Sequence, residues 1–323
     1  MNRRTALLTA AMLISVLTIP FSAAANSPYP NKPIVIVVPY PAGGGVDNLA
    51  RMLQEPLAKR LGQPIVIENK GGAAGTIGTA QLARATPDGY TLGLVFDNHA
   101  TAPAIYKSLP YSVADDFASI IHLVRLPMVL AVPADSPYNN IEDFVAAAKA
   151  SPGKLTYASP GTGSSNHLAA KLLEETADIS LTHVPYRGGA PAMTDLAGGH
   201  VDAMFQNLLT TMPFVNSGRL KMIAMATASG SPSAPGIPPI SDAFPGFDVF
   251  SWMAVVAPQG TPPAILEKLN MEFNQILSDP DVKARLHAAG LEPVGGRAKD
   301  LDMLIEESMK KWGDIIKRAN ITN

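Results

Sequence analysis

The chain has 323 residues, 25 Lys and Arg against 27 Asp and Glu, a formal charge of −2, and no cysteine. That balance, without any Lys/Arg-rich run, argues against a nucleic-acid partner, and the fold must hold without disulfides. With 47% hydrophobic residues the chain can bury a core in each of two ordinary-sized domains.

The first element is a targeting signal. Arg3 and Arg4 precede an apolar stretch from Ala6 to about Phe21, and Ala23-Ala24-Ala25 has the small-residue pattern of a secretory cleavage site. Cleavage is expected after Ala25. The apolar run is shorter than the roughly 20 residues that span a bilayer, which weighs against an uncleaved anchor. Removal of residues 1–25 leaves 298 residues with a formal charge of −4, and no later apolar segment is long enough to cross a membrane. The mature chain is therefore expected in the periplasm.

Ile34 to Val38 is an unbroken β-branched run, which suits a strand covered on both faces. Val46, Leu49, Ala50, Leu53, Leu57 and Leu61 then recur at helical spacing. Between them Pro39, Pro41 and the three glycines Gly43 to Gly45 can continue neither element, so the backbone N–H groups at the helix start are predicted to face outward. Such a helix start attracts anions; the alternative is a tight turn that binds nothing. A strand at 64–69, a short helix at 76–84 and a strand at 90–96 make this half βαβαβ, with Asp97-Asn98-His99 at the carboxyl end of the third strand, where open α/β sheets bind ligands.

Ile120 to Leu126 and Met128 to Val132 are apolar runs separated by Pro127, a plausible crossing into a second domain. A helix at 141–150 and a strand at 154–159 lead into PGTGSSNHLAAKLLEE, a second strand–glycine turn–helix unit with Ser164 or Ser165 as helix cap. A strand at 179–186 leads to a third glycine turn and helix, and strands follow at 201–207 and 220–227. Residues 229–245 read as a surface loop, 247–258 as the return crossing, and helices at 264–278, 281–288 and 298–319 close the chain. The last helix is expected against the first domain. Trp252 and Met222 to Met225 read as core. The fold class is α/β with two lobes, each a doubly wound sheet with flanking helices, joined by two crossings that form a hinge near Leu126 and Val249. Lobe 1 is expected to comprise 26–124 and 230–323, and lobe 2 125–229.

Four stretches, VPYPAGGGVDNLAR (Val38 to Arg51), TPDGYTLGL (Thr86 to Leu94), HVPYRGGAPAMTDLAGGHVDAMFQN (His183 to Asn207) and FSWMAVVAPQGTP (Phe250 to Pro262), together resemble the Bug-type solute receptors of tripartite tricarboxylate transporters. The likeness covers nearly all of the mature chain. It implies a periplasmic binding protein, type II-like, whose lobes close on a small carboxylated molecule and deliver it to membrane permease subunits, working as a monomer without a cofactor. By position, it implies a first-lobe loop of Tyr40, Pro41, Gly43, Gly44, Gly45 and Asp47. The second-lobe loop would be Ser159, Gly161, Thr162, Ser164 and Ser165, with Tyr186, Arg187 and Gly188 on the opposite wall. Phe205, Gln206 and Asn207 would end the next strand, and Asn98 belongs to the same set. Relatives are often small and hydroxylated where this chain has Asp97-Asn98-His99, and often acidic at Gln206, whose amide disfavours an amino-acid ligand.

Physical reading of the same residues runs parallel. Two facing helix N-termini can share one carboxylate between lobes. Arg187 either grips a second carboxylate in a two-pronged contact or sits solvated. Asp47, in the first turn of its helix, answers the dipole, pairs with Arg51, or meets ligand. His99, His167 and His183 lie on different elements without metal-ligand spacing, so no metal is expected. No nucleotide or nucleophile-elbow motif is present. Two other function classes stay open: an exported hydrolase using Ser164 with His167, and a sensor subunit that presents ligand to a signalling protein.

Overall fold

A computed structural model describes residues 29–321; the expected signal segment, 1–25, lies outside the described residues. The first half opens with β1 (Ile34–Val38), α1 (Gly45–Leu61), β2 (Ile65–Asn69), α2 (Thr76–Ala83), β3 (Thr91–Phe96), α3 (Asn98–Ile105) and β4 (Phe117–Pro133). The middle comprises α4 (Ile141–Ala150), β5 (Thr156–Ser159), α5 (Ser165–Ala177), β6 (Thr182–Pro185), α6 (Gly189–Ala197), β7 (Ala203–Asn207), α7 (Leu208–Asn216), β8 (Leu220–Met225) and the short α8 (Ile240–Ala243). The chain returns through β9 (Phe250–Pro258), α9 (Pro263–Ser278), α10 (Pro280–Ala288), β10 (Glu292–Pro293) and α11 (Ala298–Arg318).

The strands form one continuous path, β2-β1-β3-β9-β4-β7-β5-β6, with β8 and β10 also on β4. β1 pairs in parallel with β2 and β3, and β5 in parallel with β6 and β7, so each lobe has its own parallel set. Parallel strands need cover on both faces, and β1 has it: Ile34, Ile36, Val37 and Val38 are each at most 2% exposed. The apolar stripe of α1, Leu49, Leu53, Leu57 and Leu61, packs on that sheet with Phe273 of α9. Each such fully buried Leu contributes roughly 1.5–3 kcal/mol. The second lobe has a separate core around Phe144, Leu168, Leu173, Phe205 and Phe247.

The two lobes meet along β4. Its first part, Phe117 to Pro127, pairs antiparallel with β9; from Met128 onward it pairs with β7 and β8. What the sequence presents as two runs split by Pro127 is one 17-residue strand. The proline costs little because it stands where the ladder changes partners, Pro127 being the last residue opposite β9.

Four other segments differ from the sequence reading. Residues 98–105 and 208–216 are helices, α3 and α7, although each contains a proline, Pro103 and Pro213. The stretch 229–245 is not merely a surface loop: Met225 bridges to Pro239, and Ile240 is fully buried in the second-lobe core. α11 does not keep to the first lobe. Its Leu301 joins Phe117 and Trp252, whereas Trp312, Ile315 and Ile316 join Phe144 and Leu168. Its strongly two-faced sequence supplies enough apolar stripe for both cores, and Arg318 adds an ion pair to Glu175 of α5 at 2.7 Å.

Candidate functional site

The cleft lies where the parallel strands end. A hollow of about 750 Å³ is bounded on one side by Tyr40, Phe96, Asp97, Asn98 and the inner face of α3. The other side is the turn 160–166 with the starts of α6 and α7. Four helices, α3, α5, α6 and α7, begin at this rim, each directly after or close to a strand. Their first N–H groups and positive dipole ends make the space attractive to acceptors and anions without any lysine or arginine in the lining. Of the lining residues, Asp97 carries the one formal charge.

Tyr40, Asn98, Gly161, Thr162, Ser164, Ser165, Gln206 and Asn207 are brought together in this lining. On the first-lobe wall the Tyr40 hydroxyl donates to the Asn98 side-chain oxygen, and Asn98 Nδ2 donates to the Ala74 carbonyl at 2.6 Å. Burial raises the Tyr40 phenol far above its ordinary range, so it acts as a neutral donor. On the second-lobe wall Ser164 is the N-cap of α5, accepting from His167 N at 3.3 Å while its own proton goes to Gly161 O at 2.7 Å. Gln206 Oε1 accepts from Asn207 N at 2.8 Å and Asn166 Nδ2 at 3.3 Å, which leaves its amide nitrogen turned toward Gly189 on the cleft wall.

Pro41, Gly43, Gly44, Gly45 and Asp47 lie outside the lining. The outward N–H groups predicted for this turn are partly engaged: Gly43 N donates to Asp47 Oδ2 at 2.8 Å and Gly44 N to Pro41 O at 3.3 Å. Asp47 is buried and also accepts from Arg51 Nε at 2.9 Å and Asn69 Nδ2 at 3.0 Å. Those contacts, Arg51 first, hold its carboxyl below the usual range despite its burial. Asp47 thus takes up the pairing with Arg51 and supplies an internal anion to the helix start. Ser159, Tyr186, Arg187 and Gly188 also lie outside the lining. Ser159 is fully buried, with its hydroxyl 2.7 Å from His183 Nε2; the Tyr186 hydroxyl donates to Asp195 at 2.7 Å; Arg187 is exposed.

The three singled-out histidines part company. His167 and His183 stack nearly parallel, 8° apart with centroids at 3.9 Å, and His167 Nδ1 accepts from Gly163 N at 3.0 Å. Burial, then the neighbouring ring and Lys171, pushes His167 down to about 3; burial and Lys171 push His183 to about 4. Both rings are therefore neutral and stacking incurs no like-charge cost. His99 packs edge-on against Phe117 elsewhere, and burial lowers it to about 4. Ser164 meets His167 through the backbone N–H and not the ring, so the nucleophile–base geometry of a hydrolase is not formed there.

Asp97, Phe96, Gly163, Met193 and Phe214 are lining residues that spacing alone did not select as site residues. Gly163 combines φ +78° with a close approach: a Cβ there would stand 2.8 Å from Ile105 Cδ1 of α3, across the cleft. The available signal was positional, since whatever follows a parallel strand's carboxyl end faces the ligand crevice.

The comparisons with known proteins agree with this architecture. Residues 49–321 match the model of the tripartite tricarboxylate transporter family receptor. The chain is 32% identical over 297 residues to Protein BugT of Bordetella pertussis, covering 90% of each chain. The R. palustris protein Rpa4515, solved with adipate, superposes with a TM-score of 0.80 at 32% identity over 91% of this chain and all of that one. MatC from Rhodopseudomonas palustris with bound malate gives 0.75 at 32% identity, over 89% and 100%. A periplasmic-binding-protein fold with its cleft at the strand ends, matched over most of its length by that family model, identifies this chain as a member of the tripartite tricarboxylate transporter receptor family.

Proposed function

We propose that the chain is an extracytoplasmic receptor that captures a small carboxylate between its lobes and hands it to the membrane permease of a tripartite tricarboxylate-type transporter. The observation that carries this reading is the convergence of four helix starts on one cleft whose lining holds no lysine or arginine. A carboxylate there is gripped by backbone N–H groups and neutral donors such as Thr162 and Gln206, already fixed by the fold and losing little entropy on binding. The adipate and malate of the two structural neighbours are carboxylates of a size that suits the cleft. The lobe boundary we propose runs through Pro127 of β4 and the segment entering β9, so that closure bends the chain at those points.

A thermal-shift screen of carboxylates on the purified mature protein tests the reading. A true ligand at 100 times its dissociation constant stabilises by roughly 2.7 kcal/mol. Shifts by uncharged amides with none by their parent acids would overturn it.

A further inference from the structure

Beyond its helix starts the cleft contains an acid with no basic partner in the lining. Asp97 follows β3, is 6% exposed, and lines the cleft. It stands at the N-cap of α3, yet its side chain caps nothing, and no hydrogen bond reaches Oδ2. The hydroxyls of Ser165 and Ser251, from opposite lobes, lie close enough to favour its charged form, as does the N–H of Asn98. Burial outweighs them and pushes the carboxyl up to about 7. No Lys or Arg shares the lining, so no charge of this chain completes the pair. A second buried acceptor, Asn207 Oδ1, also has no partner on the facing wall.

A buried acceptor without a donor is costly, and more so when it is a carboxylate. The fold keeps one on the wall of a cleft where four helices begin, and none of their donors bonds Oδ2. Among the described residues no donor fills that place, which leaves a ligand in the cleft as the source. We propose that Asp97 is a specificity-determining residue that accepts a hydrogen bond from a donor group, a hydroxyl or a protonated amine, carried by the carboxylate ligand. This rests on the carboxylate reading above and narrows it: the ligand is a hydroxy- or amino-substituted acid, because a plain dicarboxylate would bring a second anion beside Asp97 and no donor. Gln206 complements the arrangement, since its acceptor is already filled and its amide N–H groups serve the carboxylate end.

The test is calorimetry at pH 8 with five probes on two carbon skeletons, succinate, malate and aspartate, and adipate and 2-aminoadipate. The proteins are the wild type, Asp97→Asn and Asp97→Ser. In the wild type a substituted acid should bind at least about tenfold tighter than its plain parent, the scale of one charge-assisted hydrogen bond. Asp97→Ser should shrink that ratio to within about threefold. Asp97→Asn, which keeps an acceptor but no charge, separates the sources: it should retain the preference for malate and lose that for aspartate or 2-aminoadipate. Both variants should melt at or above the wild type without ligand, since each removes an unpaired buried carboxylate. A plain parent binding the wild type as tightly as its substituted partner, or a preference unchanged in Asp97→Ser, overturns the inference and leaves the carboxylate reading standing. If none of the five binds any of the three proteins, the carboxylate reading fails and this inference with it.

Discussion

Two of the joints that lead from a strand to a helix through a glycine turn, at 39–45 and at 160–164, use the helix start differently. In the first, α1 has no side-chain cap, and the carboxylate of Asp47 folds back onto Gly43 N, held by Arg51 and Asn69. In the second, a neutral hydroxyl, Ser164, caps α5 and the turn faces the cleft. A strand–turn–helix unit is therefore an anion site only while its own sequence does not supply the anion. One joint is a closed structural lock, and the other leaves its polarity for a visitor.

The contrast can be broken most forcefully at the lock. Asp47→Ala should lower stability by about 3 kcal/mol in urea unfolding, because it strips three donors of a buried carboxylate. The sign of its pH dependence follows from a depressed carboxyl: the stabilisation is fully present above about pH 4, the unfolded value, and is lost as pH falls through the lower folded one. A wild-type-like urea midpoint for Asp47→Ala would show that the lock is idle.

Gly163→Val should come next. A side chain at φ +78° facing Ile105 at 2.8 Å should cost roughly 2 kcal/mol and weaken ligand binding by holding the walls apart. Gly43→Ala has a similar φ of +81° but nothing within 4 Å, so it should cost only about 1 kcal/mol. Equal melting shifts for the two would mean that backbone strain, and not the contact across the cleft, sets both.

The stacked imidazoles give the second joint its own pH response. Their folded values of about 3 and 4 lie below the ordinary 6.5, so protonation favours the unfolded chain. Stability should fall as pH drops below about 6.5, by on the order of 1 kcal/mol per pH unit for each ring, until the folded values are reached. His183→Phe should keep the stack and flatten the profile; a profile as steep as the wild type would assign the titration to other groups. Smallest is Ser164→Ala, expected to cost about 1 kcal/mol through its lost cap, read as a shift in melting temperature.

Local grammar was legible: a β-branched run marked β1, four-residue spacing marked α1, and of Asn139 and Asn140, both readable as caps for α4, it is Asn140 that accepts from Asp143 N. Less visible were α3 and α7, each with an internal proline, Pro103 and Pro213; packing holds them, α3 against α11 and α7 against β4 and β8. Part of the site was readable as well. The family resemblance implied Tyr40, Asn98, Gly161, Thr162, Ser164, Ser165, Gln206 and Asn207, all of which fall in the cleft lining. What sequence could not reveal is which candidates are already engaged by distant residues: Asp47 by Asn69, Ser159 by His183, Tyr186 by Asp195. Those pairings span 22, 24 and 9 positions and are fixed only when the strands align.

Because α11 seals the first core with Leu301 and the second with Trp312, Ile315 and Ile316, neither lobe is complete until that helix docks. The order of synthesis therefore runs against early folding: most of the chain can emerge while both cores still lack their closing stripe. Once folded, the protein should open as a single cooperative body instead of lobe by lobe, because one helix closes both cores.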